Sequence, residues 1–274
     1  MSKACTNLNE ERMRHSILRA TCGICLAALA AFLPACRTTM TGSAPKPNDL
    51  VVGVCPDYPP LMFRQNDRLM GVEVELAAAL GKALGRTVRF LEIRWEDQIE
   101  SLMQGRTDII MSGMTITDAR KVRVAFSDPY IELGIMPLVR AHDAAKYTTP
   151  ESILGGNARI GVKKGSTADV FANKYGRSSA ITYVLPPNAH FFLINRRIDV
   201  YLHDGPGVIW LAAEHEADLQ VIRKPLTRDQ IAWALRKDDA EMLETVNKIL
   251  AGWKKDGTLQ RILHKWLPQI EANE

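Results

Sequence analysis

The chain has 274 residues, 46% of them hydrophobic, with a formal net charge of +4. This is enough for one large domain or two lobes of ordinary size. The absence of basic runs and arginine–aromatic interleaving argues against nucleic-acid binding, and five cysteines, three of them before residue 26, do not make a disulfide-stapled fold.

Residues 1–35 read as a targeting segment. Lys3, Arg12, Arg14 and Arg19 make a mostly basic start, an apolar run follows from Ile24 to Leu33, and Leu33-Pro34-Ala35-Cys36 ends it. A basic start, a short apolar core and a small residue before the cut are what a secretory signal needs. The run is far shorter than the roughly 20 residues of a membrane-spanning helix. Glu10 and Glu11 sit oddly in a basic leader, so the natural start is expected at Met13 rather than Met1. Leu33–Cys36 resembles the lipobox of bacterial lipoproteins, which implies an acylated Cys36 that anchors the protein to a lipid bilayer. Ordinary cleavage, with Cys36 a bystander, is the alternative. Residues 36–48 then read as a flexible tether. Removing the leader lowers the formal net charge from +4 to +2 and takes away Cys5, Cys22 and Cys25. With Cys36 acylated, Cys55 has no disulfide partner.

From Leu50 the pattern alternates strand and helix. Leu50–Val54 is a short apolar strand, stopped by Pro56, Pro59 and Pro60. Val72–Leu84 has the spacing of an amphipathic helix, with Gly85 as its left-handed cap. Val88–Ile93 alternates as a strand, Trp95–Gln104 reads as a helix, and Asp108–Met111 as a buried strand. Tyr130–Val139 is extended, apolar and interrupted by Gly134 and Pro137, which suits a crossing between lobes. The βα pattern then restarts. Strands are expected at Arg159–Val162, Ile181–Val184, Val200–Leu202 and Leu219–Ile222, with helices at Ala168–Lys174, Ala189–Asn195 and Gly207–Glu214. Gln230–Leu235 reads as one more strand, and Ala240–Lys255 and Leu259–Leu267 as closing helices. Such alternation argues for α/β units with mostly parallel sheets.

Four clusters carry chemistry, each in a loop after a strand, where open α/β sheets hold their ligands. Tyr58-Pro59-Pro60 presents an aromatic face on a stiff loop, or is simply a rigid turn with Tyr58 packed. Ser112-Gly113-Met114-Thr115 offers backbone N–H groups and hydroxyls, and Arg120 follows with a planar fork that suits a carboxylate. The plainer alternative makes Thr117 or Asp118 a helix cap and Arg120 a solvated side chain. Lys163-Lys164-Gly165-Ser166-Thr167 opens a helix, where free N–H groups favour an anion, or where Ser166 is an ordinary cap. It lacks the glycine and lysine order of a nucleotide-phosphate loop. His203-Asp204 ends an apolar strand, so Asp204 can hold an ammonium or cap the next helix. No second His or Cys lies at ligand spacing, so neither a metal nor a cofactor is expected.

The order and spacing of these segments carry more than any one of them. Val51–Val54 with Tyr58-Pro59-Pro60, Gly71–Leu76, Gly105–Ile110, Ser112–Arg120, Phe126–Tyr130, Gly161–Thr167, Ile198–Asp204, Lys255–Leu259 and Lys265-Trp266-Leu267 together resemble the bacterial extracellular solute-binding proteins of family 3, the amino-acid receptors of ABC importers. The resemblance implies a periplasmic-binding-protein-like type II fold, two α/β lobes joined by two hinge strands. Lobe 1 would cover 49–133 and 230–274, and lobe 2 134–229. It implies that Arg120 and the turn of Ser112, Gly113 and Thr115 bind a ligand's α-carboxylate, with Ser166 and Thr167 from the other lobe. Asp204 would take the α-ammonium, and Tyr58 and Trp95 would pack on the ligand's side chain, with Cys55, Lys163 and His203 as further candidates. Cys55 departs from the polar or acidic residue common at its position, which leaves the side-chain specificity open.

The implied function is an exported, monomeric receptor in the periplasm or at the cell surface that delivers an amino acid to an inner-membrane ABC permease. A cyclohexadienyl or arogenate dehydratase-like enzyme is the second reading, although Gly205-Pro206-Gly207-Val208 follows Asp204 where that branch carries a Glu. A ligand-sensing module for a separate signalling partner is the third.

Overall fold

A computed structural model of the chain describes residues 48–175 and 178–268. The expected signal peptide, the alternative start, Cys36 and the tether up to Pro47 lie outside these residues.

The chain begins with β1 (Asp49–Val54), then an antiparallel sheet of β2 (Asp57–Tyr58), β3 (Met62–Gln65) and β4 (Arg68–Met70). The sequence reading missed this sheet. Its two-residue turn, Asn66-Asp67, has positive φ at both positions (48° and 60°), conformations that these residue types accept in tight hairpins. α1 (Val72–Leu84) follows and ends on the left-handed Gly85 as its spacing requires. β5 (Thr87–Glu92), a 3₁₀ turn at Trp95–Asp97, α2 (Gln98–Met103) and β6 (Ile109–Ile110) complete a βαβαβ unit. β1 pairs in parallel with β5 on one side and β6 on the other. α3 (Asp118–Lys121) and β7 (Ala125–Phe126) come next.

The expected crossing at 130–139 divides at Gly134. β8 (Ile131–Leu133) stays outside both large sheets, while β9 (Ile135–Arg140) enters the second. After α4 (Pro150–Leu154), β10 (Ile160–Val162), α5 (Thr167–Lys174), β11 (Ile181–Tyr183), α6 (Ala189–Ile194) and β12 (Val200–Asp204) repeat the first unit's scheme. α4 was not anticipated, although Thr149 and Ser152 form a reciprocal capping box around Pro150. α7 (Gly205–Glu214) and β13 (Leu219–Val221) close the second unit.

The strand expected at 230–235 is two. β14 (Asp229–Ile231) pairs antiparallel with β8, and β15 (Ala234–Leu235) inserts between β6 and β7. β8 and β14 thus form a two-stranded ribbon between the large sheets. α8 (Ala240–Asp256) and α9 (Thr258–Trp266) then pack on α1 around Leu76, Leu80, Val246, Leu250 and Leu259.

The two sheets run β5-β1-β6-β15-β7 and β11-β10-β12-β9-β13. In each, three parallel strands are followed by an antiparallel one. Each also has the same lock before its third parallel strand. Asp108 Oδ2 accepts the Val51 N–H at 2.9 Å, and Asp199 Oδ2 accepts the Arg159 N–H at 3.0 Å. Arg140 bridges Asp143 and Asp199 beneath the second sheet, at 2.7 and 2.8 Å. The fold is the type II arrangement of two α/β lobes joined by hinge strands. Among the described residues no helix is long and apolar enough to cross a membrane.

Candidate functional site

The loops after β1, β6, β10 and β12 leave the carboxyl ends of parallel strands, and they converge between the two sheets. The small cavity there is lined by Tyr58, Trp95, Ser112, Gly113, Thr115 and Arg120 from the first lobe. Lys163, Ser166, Thr167, His203 and Asp204 line it from the second. Eleven of the twelve candidate ligand residues therefore share one space. Cys55 is the exception, buried behind Lys163 with its Sγ 3.7 Å from the Lys163 ammonium. The cavity volume is about 20 Å³, room for about one water, so the lobes are closed on themselves. A groove of about 1040 Å³ beside Tyr130 and Lys254 shares no residue with it.

The expected cap at Thr117 is present in the Arg120 segment, but the Arg120 side chain is not solvated. Thr117 caps α3 by accepting the Arg120 N–H at 3.3 Å, and this cap sets the start of the short helix. The Arg120 guanidinium turns back, donating to the Thr115 carbonyl at 2.8 Å and to the Gly165 carbonyl of the other lobe at 3.3 Å. Trp95 donates its indole N–H to the same carbonyl at 3.1 Å. Its ring lies 5.2 Å from the Arg120 guanidinium and 4.9 Å from the Lys163 ammonium, a cation on each count within π range.

Asp204 takes the N-cap position of α7 but makes no side-chain cap bond, so its carboxylate is not consumed by the helix. Burial above all pushes its pKa up to about 6; nearby Asp229 adds to this, while Tyr58, Arg120 and Lys163 oppose it. The Tyr58 hydroxyl is buried beside it. His203 is kept neutral, its pKa lowered to about 3 by burial and by Lys163, and its Nδ1 accepts the Asp204 N–H at 2.8 Å.

Tyr58 is a wedge between the lobes. A Cβ added at Gly113 would lie 2.9 Å from its ring, and one at Gly207 would lie 3.0 Å away. Gly113 also needs its left-handed backbone, φ 65°. These contacts leave no room for larger residues on either side of the ring.

Several candidate groups are already committed. The Ser112 hydroxyl accepts the Cys55 N–H at 3.0 Å and the Gln98 amide at 3.3 Å, tying the turn to β1. The Gly113 N–H donates to Glu73 Oε1 at 2.7 Å. Ser166 is the N-cap of α5, accepting the Asp169 N–H at 3.2 Å. The carboxylate of Asp204 and the N-terminal turn of α5 also line the cleft, as does the fork of Arg120, which is held by the Thr115 and Gly165 carbonyls.

Two residues of this architecture were not singled out from sequence. Glu73, at the start of α1, is fully buried and accepts from Gly113 N–H, the Tyr130 hydroxyl at 2.8 Å and the Trp233 indole at 3.0 Å. It joins the turn to Tyr130 and Trp233, which flank the same end of the β8–β14 ribbon, beside the paired Ile131 and Ile231. Asp57 pairs with Lys163 across the lobes at 2.6 Å. An acid next to Tyr58 and a lysine just after β10 are separated by 106 residues, so only the fold reveals the pair. Among the described residues no group of three His, Cys, Asp or Glu side chains is placed to hold a metal ion.

The chain is similar to the L-cystine-binding protein TcyJ of Escherichia coli strain K12, with 32% identity over 219 residues, covering 79% of this chain and 82% of TcyJ. It is similar in structure to holo ArgBP from T. maritima, with a TM-score of 0.72 and 30% identity, covering 80% of this chain and 96% of that one. The ancestral amino acid-binding protein AncCDT-1, a precursor of cyclohexadienyl dehydratase, matches with a TM-score of 0.71 and 33% identity, covering 80% and 95%. Residues 50–269 match the family model of the bacterial extracellular solute-binding proteins, family 3, and the chain belongs to that family.

Proposed function

We propose that the protein is an extracytoplasmic receptor that closes two lobes on an α-amino acid and delivers it to an ABC permease in the inner membrane. The observation that carries this reading is the placement of Arg120 and Asp204. They come from different lobes, line one cavity, and present a fork for a carboxylate and a buried acid for an ammonium. Neither lobe holds both groups, so the ligand itself favours the closed form. In this reading lobe 1 comprises 49–133 and 230–274, lobe 2 comprises 134–229, and the β8–β14 ribbon is the hinge. Tyr58 and Trp95 pack on the ligand, and the N-terminal turn of α5, with Ser166 and Thr167, assists Arg120.

Binding without turnover fits the relatives, whose names describe binding proteins. Export through residues 1–35, anchoring through an acylated Cys36 and action as a monomer complete the proposal. A thermal-shift screen over the common amino acids, followed by calorimetry on the hits, tests it. Stabilisation by at least one α-amino acid is expected. No shift and no heat for any of them would overturn the amino-acid assignment.

A further inference from the structure

One edge of the second lobe exposes large apolar side chains and uncompensated cations together. Of the eight large apolar side chains exposed among the described residues, six fall between positions 170 and 194: Val170, Tyr175, Tyr183, Leu185, Phe191 and Ile194. They flank β11, the edge strand of the second sheet, whose Ile181 packs with α5 on one face. Val184, just after it, packs with α6 on the other. Phe191 and Ile194 stand three residues apart on α6 and so share its outer face. The same stretch is basic. Residues 160–198 hold six lysines and arginines and one acid, Asp169, which is buried and accepts the Gly165 N–H at 2.9 Å. Lys163 is taken by Asp57. Among the described residues, Lys164, Lys174, Arg196 and Arg197 are exposed and have no carboxylate within ion-pair distance.

The cations and the rings interleave. The Lys164 ammonium lies 5.7 Å from the centre of the Tyr183 ring, and the Arg197 guanidinium 5.2 and 5.6 Å from those of Phe191 and Phe192. We propose that this edge is a docking surface for a bilayer with acidic headgroups. The cations meet the headgroups, and the aromatic and aliphatic side chains enter the layer beneath them. The surface lies outside the amino-acid cleft and its assignment does not depend on the ligand bound there.

The physical reason lies in what can cover such a surface. Single exposed apolar residues are ordinary, but a cluster of them marks an interaction site. Cations without partners select an anionic cover. A second copy of this chain is disfavoured, because it would bring the same cations against themselves. β11, three residues long, also offers little edge for another strand to pair with. An acidic bilayer supplies both halves of the match. Its surface potential attracts lysine and arginine, whose stems lie along apolar surface while their heads stay in water. Tyrosine and other amphipathic rings settle at the headgroup level.

Flotation of residues 44–274 with lipid vesicles tests this. The two lobes form one compact unit within these residues, which omit the leader and Cys36, so acylation does not contribute. Phosphatidylcholine vesicles with about one-third phosphatidylglycerol are expected to retain at least about tenfold more protein than pure phosphatidylcholine, and about 0.5 M salt to release it. Arg196→Glu with Arg197→Glu should abolish retention, and Phe191→Ser with Ile194→Ser should cut it at least about fivefold. Met103→Ser, at an exposed apolar position of the first lobe, should change nothing. Thermal unfolding of each variant near the wild-type temperature shows that the fold is kept. Equal retention on both vesicle types, or retention untouched by the serine pair, would overturn the proposal. So would a loss in Met103→Ser as large as in the second-lobe variants. No retention on acidic vesicles would overturn it too, and leave the patch to a protein partner.

Discussion

Arg120 and Gly165 belong to different lobes, and the guanidinium Nη2 of the first donates to the carbonyl of the second at 3.3 Å. The Trp95 indole donates to that carbonyl as well. The lobes are thus joined by the same arginine that, in the proposed reading, receives the ligand's carboxylate. A charged acceptor outcompetes a neutral carbonyl for a guanidinium, so a ligand carboxylate is expected to replace the Gly165 contact.

Truncating this arginine separates binding from folding. In Arg120→Ala the ligand loses its charged fork, and affinity is expected to fall by a factor of about 100 or more, or about 3 kcal/mol. Stability of the ligand-free protein should change by only about 1 kcal/mol, because two hydrogen bonds to carbonyls are lost at a partly exposed cleft. Arg120→Lys keeps the charge but not the fork and should fall between the two. Calorimetry for affinity and denaturant titration for stability check both halves.

If Asp204 holds the ligand's ammonium as proposed, binding is expected to depend on pH. An ammonium needs the ionised carboxylate, and burial has raised this group's pKa to about 6. Neither end of an α-amino acid titrates near that pH, so affinity is expected to hold above about pH 7 and to weaken as pH falls below 6. The loss approaches about tenfold per pH unit well below it. Asp204→Asn should bind weakly and without this dependence. Calorimetry at pH 7.5, 6 and 5 reads both.

Glu73 and Asp204 also set the pH dependence of the empty protein's stability. Burial raises Glu73 to about 7, although the Gly113 N–H and the Tyr130 and Trp233 side chains donate to it. Both acids therefore bind protons more readily folded than unfolded. Between their ordinary values and these raised ones, the folded state holds more protons, and stability falls as pH rises. The melting temperature without ligand should be higher at pH 5 than at pH 7.5. At lower pH the trend reverses, because Asp143 and Asp199, held down by their cationic partners, must be protonated. Glu73→Gln should flatten the upper limb and cost about 1–3 kcal/mol, since its amide nitrogen faces a donor.

Cys55 should be chemically silent. Burial, with Asp57 adding and Lys163 opposing, raises its thiol pKa to about 12. Native protein at pH 8 is expected to resist iodoacetamide at this residue and to react after unfolding, as read by peptide mass spectrometry.

The sequence pattern made the βα alternation legible, because long amphipathic segments such as Val72–Leu84 and Ala240–Asp256 carry their own periodicity and end signals. It was weaker where chain neighbours part company. Gln230–Leu235 looks like one apolar strand, yet Ile231 pairs with the hinge ribbon and Ala234 with the first sheet. Nothing local marks the change at Ala232 and Trp233. The hairpin at 57–70 was hidden by the prolines that precede it, although Asn66-Asp67 is a turn signal.

The site shows the same division. The places of Arg120 and Asp204 beside the cavity were readable, because Asp204 ends a strand and Arg120 belongs to the segment that leaves one. Glu73 and Asp57 were not, because their roles come from partners 40 or more residues away: Gly113 and Trp233 for the first, Lys163 for the second. Ser112 and Ser166 illustrate the converse. Their positions beside the cavity were legible, but their hydroxyls are engaged within the fold.

The most direct test of the central claim is a calorimetric cycle that trims each end of the ligand against each side chain. The tightest-binding amino acid, its α-carboxamide and its N-acetyl derivative would be titrated into wild type, Arg120→Ala and Asp204→Asn. The claim predicts that blocking the carboxylate costs far less affinity in Arg120→Ala than in wild type, and that blocking the ammonium costs far less in Asp204→Asn. Full and equal losses for both analogues in all three proteins would contradict it.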